Sequence, residues 1–319
     1  MESVIHDPEL EDLLALAPAF ALSSEALPLL REQRLNAAAP ALSDAVERTN
    51  QVVHAESADG LVPALVVRVH RPVGVSGPLP CIYSMHGGGY VVGSSEMEDP
   101  RFDRLCADLR FVAVSVEYRL APETPYPGPL EDCYAGLAWT FAHAAELGID
   151  PGHIGIGGVS AGGGLAAGLA LLVRDRGQYT LAFQLLECPM IDDRQVTSSS
   201  ARDGLIVWTK ESNSFGWKSY LGDLYGRDDI SQYAAPARAL DLHGLPPAFV
   251  IVGGADGFRD EDIDYALRLN QAGVPAELHV LPGAPHGVQL FAQTDIARRW
   301  SELVERWLQR VLSAAPTPG

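Results

Sequence analysis

Cysteine is scarce in this 319-residue chain, and the four present (Cys81, Cys106, Cys133, Cys188) are far apart, with no Cys-x-x-Cys pair. That spacing offers no Cys-x-x-Cys metal or redox motif and predicts free buried thiols within apolar runs, in a reducing compartment. Basic residues are also short: 23 Lys and Arg face 41 Asp and Glu, a net charge of −18. Nucleic acid and anionic lipid both require clustered cations, so neither is an expected partner. No apolar run is long enough to span a bilayer. The apolar residues 13–17 follow Glu2, Asp7, Glu9, Glu11 and Asp12, where a secretory leader would carry positive charge, so a cytoplasmic protein is expected. Metal-ligand spacing and phosphate-cradling glycine loops are missing too, and no metal or organic cofactor is expected.

Hydrophobic residues make up 47% of the chain and charged residues 20%, which fits one large buried core carrying a smaller accessory part. Residues 1–50 have apolar positions at helical spacing, with breaks at Pro18, Pro28 and Pro40. From about Leu61 the pattern changes. Strand-like runs at 64–69, 80–85, 111–116, 154–159, 181–186, 248–252 and 276–281 alternate with helical text, including 99–109, 130–147, 262–272 and 290–312. This alternation predicts an α/β fold with a mostly parallel central sheet covered on both faces. It lapses between Asp192 and Leu245, where Trp208, Phe215, Trp217, Tyr220, Tyr225 and Tyr233 stand among polar residues. The expected organisation is an N-terminal helical cap segment (1–50), a core (51–191 and 246–319), and a cap insertion with connecting helices (192–245). For each aromatic of the insertion taken singly, anchoring a connecting helix to the core is the favoured reading.

The chemistry centres on Gly158-Val159-Ser160-Ala161-Gly162. An apolar run feeds into it and a small-residue helix follows, which is the pattern of a sharp strand-to-helix turn that exposes a serine hydroxyl. A serine needs a base, and among nine histidines His286 stands out. It lies in Pro282-Gly283-Ala284-Pro285-His286-Gly287, at a strand's carboxyl end, where open α/β sheets build their ligand sites. His54, His70 and His279 lie in strand-like text and His6, His143, His153 and His243 in helices or loops, and none is assigned a role. Asp256, just past the run 249–252, is the acid preferred over Asp260; Asp260, Glu261, Asp262 and Asp264 read as acids favoured at a helix start. Upstream, His86-Gly87-Gly88-Gly89-Tyr90 follows a strand, and its glycines allow backbone N–H groups to approach an oxyanion; Gly88, Gly89 and Ala161 are the expected donors.

These motifs, together with Tyr118-Arg119-Leu120-Ala121-Pro122-Glu123 and Arg259-Asp260-Glu261, resemble the hormone-sensitive-lipase-like (family IV) group of bacterial carboxylesterases. The resemblance runs from about residue 60 to the C-terminus. It implies the α/β-hydrolase fold with a helical cap, a triad of Ser160, Asp256 and His286, and a serine carboxylesterase. Such an enzyme would cleave short- to medium-chain esters through an acyl-enzyme, with Tyr90, Trp208 and Phe215 at the substrate pocket. The expected partner is a small-molecule ester, and a homodimer through an exposed edge strand is compatible with this reading. A lipase or amidase on the same scaffold, or a non-catalytic receptor-like protein, stays open as an alternative. Two positions depart from the group: Val159 replaces the usual Asp or Thr, and Gly257 replaces a proline, which removes a restraint from the loop carrying Asp256.

Overall fold

Eight segments join into one sheet: β1 (Val46–Val53), β2 (Leu65–Pro72), β3 (Leu79–Met85), β4 (Val112–Glu117), β5 (Ile149–Val159), β6 (Gln184–Glu187), β7 (Ala248–Gly253) and β8 (Ala276–Leu281). Their order is β1-β2-β4-β3-β5-β6-β7-β8, antiparallel at β1–β2 and β2–β4 and parallel from β4 onward. The computed structural model that shows this describes residues 4–16, 21–35, 41–54, 56–57, 60–61 and 64–313. The expected helix breaks at Pro18 and Pro40 lie outside the described residues.

The central parallel strands are buried without alternation because helices cover both faces, and all six residues of β7 are buried, whereas β8 at the edge is mostly half-buried. The crossovers include α3 (Asp99–Leu109), α4 (Gly128–Ala142), α6 (Ala161–Arg176), α8 (Arg259–Gln271) and, at the end, α9 (Asp295–Ser313). On α9, Ile296, Trp300, Val304, Trp307 and Leu308 recur every three or four residues and are buried. They pack with Phe183, Phe249 and Ile251 on one face of the sheet, each worth about 1.5–3 kcal/mol on burial. All four cysteines are free and buried, as expected. Among the described residues, no helix is long and apolar enough to cross a membrane.

Several expectations need correction. Residues 46–50 are not helical but begin β1, an edge strand whose burial is irregular because solvent covers one side. Strand β6 is only Gln184–Glu187 rather than 181–186, and β5 starts five residues early, at Ile149. The helix expected over 130–147 breaks at His143, leaving α5 as Ala144–Leu147. The N-terminal segment divides between two places. Pro8–Leu10 and α1 (Glu11–Leu16) dock beside α9, where Glu9 Oε2 and Oε1 accept the Asp295 and Ile296 N–H groups at 2.8 and 2.7 Å. Leu22 and α2 (Leu27–Leu35) instead lean over the carboxyl end of the sheet, beside α7 (Lys210–Leu221) of the 192–245 insertion. Arg31 pins α2 there: Nε and Nη2 donate to the Val91 and Ala121 carbonyls at 2.8 Å, and the guanidinium pairs with Glu123.

Candidate active site

Ser160 sits between β5 and α6 with φ 58° and ψ −121°, a strained conformation for a residue with a side chain. Its flanking glycines are required by close approach. A Cβ on Gly158 would lie 2.3 Å from the Gly162 carbonyl carbon, and one on Gly162 would lie 2.0 Å from the Met85 oxygen. The turn is pinned by Ser160 N–H donating to the Glu187 carbonyl (2.8 Å) and by its own carbonyl accepting from Met190 and Gly164 (2.9 Å each). The hydroxyl is thereby held at the sheet's carboxyl edge, at the N-cap of α6, where the helix dipole favours negative charge.

Three side chains far apart in sequence meet there. Ser160 Oγ is 2.9 Å from His286 Nε2, and His286 Nδ1 is 2.8 Å from Asp256 Oδ2. All three are buried. The other Asp256 oxygen accepts the Phe258 N–H at 2.9 Å, a local turn that orients the carboxylate. Asp260 is turned away: it pairs with Arg259 and accepts the Ser199 N–H at 2.8 Å. Ser199 supplies the restraint that Gly257 lacks. Its hydroxyl donates to the Gly257 carbonyl (2.9 Å) and accepts the Asp260 N–H (3.0 Å), bridging the insertion to the acid's loop. Glu261 and Asp262, expected as acids favoured at a helix start, are buried, and burial pushes both carboxyls well above the usual range.

The loop after β3 faces this file. Gly88 (φ 120°) and Gly89 (φ 61°) occupy backbone conformations that favour glycine. Among the described residues neither of their N–H groups donates to the protein itself, nor does that of Ala161 at the helix start. His86 anchors the loop: its Nδ1 lies 2.8 Å from the Gly87 carbonyl and its ring stacks on Tyr118 at 4.2 Å. Burial holds the His86 imidazole below its ordinary pKa.

A cavity of about 600 Å³ opens over Ser160, His286 and Gly87–Gly89. Trp208 lines it, 6.1 Å from the His286 ring, with its indole N–H donating to Asn213 at 3.1 Å. Two other expected pocket residues do not line it. Tyr90 has φ 67°, which swings its ring into the core, where it stacks on Tyr220 at 4.0 Å and donates to the Met190 carbonyl. Phe215 is half-buried and packs against the core from α7. Residues not anticipated from sequence do line it: Leu22 and Leu30 from the N-terminal segment, Glu98 and Arg101 from the start of α3, and Glu187 from β6. Five other histidines are engaged elsewhere: His70 with Asp99, His143 with the Trp139 carbonyl, His153 with the Val311 carbonyl, His243 with Asp241 and His279 with Glu277. Among the described residues, one trio of possible metal ligands converges, Cys188, Asp256 and His286, within 4.8 Å. Asp256 and His286 already bond each other, and burial pushes the Cys188 thiol up, so the trio does not offer the ionised thiolate that a metal takes.

Comparison with known proteins agrees with this fold. A family model described as alpha/beta hydrolase fold matches residues 82–290. The chain is 39% identical over 237 residues to carboxylesterase NlhH of Mycobacterium tuberculosis, covering 73% of this chain and 74% of the relative. It is 32% identical to an arylesterase of Saccharolobus solfataricus, covering 69% and 74%. Among solved structures, bacterial heroin esterase superposes with a TM-score of 0.90 at 39% identity, over 97% of this chain and 99% of that one.

Proposed function

Since this chain belongs to the alpha/beta-hydrolase-fold carboxylesterases of the hormone-sensitive-lipase-like group, we propose that Ser160, His286 and Asp256 are the triad with which this serine hydrolase cleaves carboxylic esters. The observation that carries the assignment is the continuous file from the Ser160 hydroxyl through both His286 ring nitrogens to the Asp256 carboxylate. His286 Nε2 takes the hydroxyl proton as Ser160 Oγ attacks the ester carbonyl carbon, and Asp256 holds the ring in the tautomer that leaves Nε2 free to accept. The Gly88, Gly89 and Ala161 N–H groups stabilise the oxyanion, each donor of this kind being worth about 3 kcal/mol. His286 then protonates the departing alkoxide. Water, deprotonated by the same ring, releases the acid and restores Ser160.

The size of the cavity supports a small-molecule ester of short to medium chain, since about 600 Å³ lies within the range that encloses ligands of that kind. Leu22, α2 and the 192–245 insertion are read as its cap. The acidic surface and free thiols support action in the cytoplasm without nucleic acid or membrane, and any homodimer pairing through the sheet would use an edge, β1 or β8.

Ser160→Ala tests the assignment. The variant is expected to keep its melting temperature, lose p-nitrophenyl butyrate turnover, and escape labelling by a fluorophosphonate probe that marks the wild type. Turnover retained in Ser160→Ala, or an unlabelled wild type, would overturn it. A p-nitrophenyl acetate-to-palmitate series tests the chain-length reading, which a palmitate optimum would reject.

A further inference from the structure

The substrate cavity has two ends. One lies under the cap, walled by Leu22, Leu30, Val207 and Trp208. The other enters the seam between α3 and α9, helices that pack against each other beside the sheet. Pro100 and Leu105 from α3, Val304 from α9 and Val159 beside the nucleophile line that seam. The charges in its wall are matched within the protein. Arg101 Nη2 lies 2.5 Å from Glu187 Oε1, and Trp300 Nε1 donates to the other oxygen at 2.7 Å. Burial pushes the Glu98 carboxyl up, toward its neutral form. An alkyl chain passing these groups therefore strands no charge.

Further along the seam stands an exposed ion pair. Arg104 Nη2 of α3 lies 2.5 Å from Glu305 Oε1 of α9. Both residues line the cavity, and both also line a second hollow of about 280 Å³, as do Gln289, Ala292 and Ser301. The pair thus stands where the two spaces meet. The side chains are 50% and 27% exposed, so water screens the attraction and the pair parts easily. The helices do not need it as a brace, because Leu105, Ile296, Trp300 and Val304 already join them in one buried cluster.

We propose that the Arg104–Glu305 pair closes the substrate cavity at this end and so sets the length of the ester limb that lies between α3 and α9. A limb that reaches the pair must stop there or displace it. With the pair removed, the second hollow is open to the chain. The inference rests on Ser160 being the nucleophile of this cavity.

The test reads a ratio, kcat/KM for a long ester over that for a short one, in two series: p-nitrophenyl decanoate over butyrate for the acyl limb, and decyl over butyl acetate for the alcohol limb. Arg104→Ala removes the longer arm of the partition at an exposed position. It should raise the ratio about tenfold in at least one series, as one methylene group gained in an apolar pocket does. Glu305→Ala serves if that variant does not fold. Ser301 is half-buried on α9 and lines both spaces, so adding Ser301→Phe to Arg104→Ala should refill the gap and bring the ratio back towards wild type. Arg176→Ala breaks an exposed pair with Glu131, neither of which lines the cavity, and should leave the ratio unchanged. A pair that only braced the helices would, when broken, lower the melting temperature and scale all four esters alike. An unchanged ratio in Arg104→Ala, an equal rise in Arg176→Ala, or a rise that Ser301→Phe leaves in place overturns the proposal. Absence of turnover on all four esters in the wild type would instead count against the esterase assignment itself.

Discussion

Gly89 is where a single methyl group should separate catalysis from folding. A Cβ there would lie 2.1 Å from Cη2 of Trp208, whose ring is packed against the glycine. The indole can move; the positive φ of 61° is harder to keep with a side chain, so the loop should rotate and carry the Gly89 N–H off its aim. Gly89→Ala is therefore expected to lower kcat by about a hundred- to a thousandfold, as loss of one oxyanion donor does. KM should move little, and circular dichroism should be unchanged. A kcat within tenfold of wild type would remove Gly89 from the proposed donor set. His86, three residues earlier, carries a different signature. Its pKa is held below the ordinary 6.5 by burial, so the unfolded chain binds the proton more readily than the folded one. The stability this confers is complete above pH 6.5 and is lost progressively as pH falls below it. Urea unfolding between pH 7 and pH 5 should show the wild type losing up to about 1.4 kcal/mol per pH unit from this one group. His86→Asn should flatten that slope; an unaltered slope would assign the acid sensitivity to other groups.

Among the elements, the loop that carries Asp256 shows how a motif can lose a residue and keep its geometry. Glycine at 257 lacks a proline's fixed φ, yet the Asp256 carboxylate receives the Phe258 N–H and Ser199 ties the Gly257 carbonyl to the Asp260 N–H. Ser199→Ala leaves that buried pair unmatched, which should destabilise the protein by about 1–3 kcal/mol and lower kcat as Asp256 loosens. Ser199→Thr, which keeps the hydroxyl, should recover most of both; loss of stability with kcat untouched would mean that the loop does not depend on this bridge. Ser199 also marks the limit of what the sequence discloses. The elbow, the glycine run and the His286 loop are each short stretches whose residue types dictate their own backbone, and they were legible without coordinates. Ser199 meets Asp260 across 61 positions, and Arg31 meets Glu123 across 92, so no local pattern announces either. Tyr90 misled for the opposite reason. Adjacency to Gly89 is a local fact, but the sign of φ at Tyr90 decides which face its ring takes, and that ring went to the core. Strand β1 was invisible because an edge strand with polar residues between Val46 and Val52 lacks an apolar period.

Across the whole molecule, residues 7–10 link regions that the sequence keeps furthest apart. Asp7 N–H donates to the Gly283 carbonyl at 3.0 Å, in the loop that presents His286. Glu9 receives the first N–H groups of α9, and Leu10 is fully buried in the cluster that includes Phe249, Ile251 and Trp300. An appended cap would unfold on its own, and its loss would leave the core's stability as it was. A segment knit into the core on both sides should instead share one cooperative transition with it. Leu10→Ala empties a buried site and is expected to destabilise by about 2–5 kcal/mol. Glu9→Ala removes a carboxylate from a helix N-terminus at an exposed position, and about 1 kcal/mol is expected there. Both should shift the urea midpoint with the slope m unchanged, because the surface exposed on global unfolding stays the same. A midpoint that does not move in Leu10→Ala, or a separate early transition, would mean that the segment folds independently. If the transition is single, the order of stability losses should be matched by activity: Leu10→Ala weakens the platform under the His286 loop and should lower kcat, whereas Glu9→Ala, acting at the far side on α9, should lower the midpoint and leave kcat close to wild type.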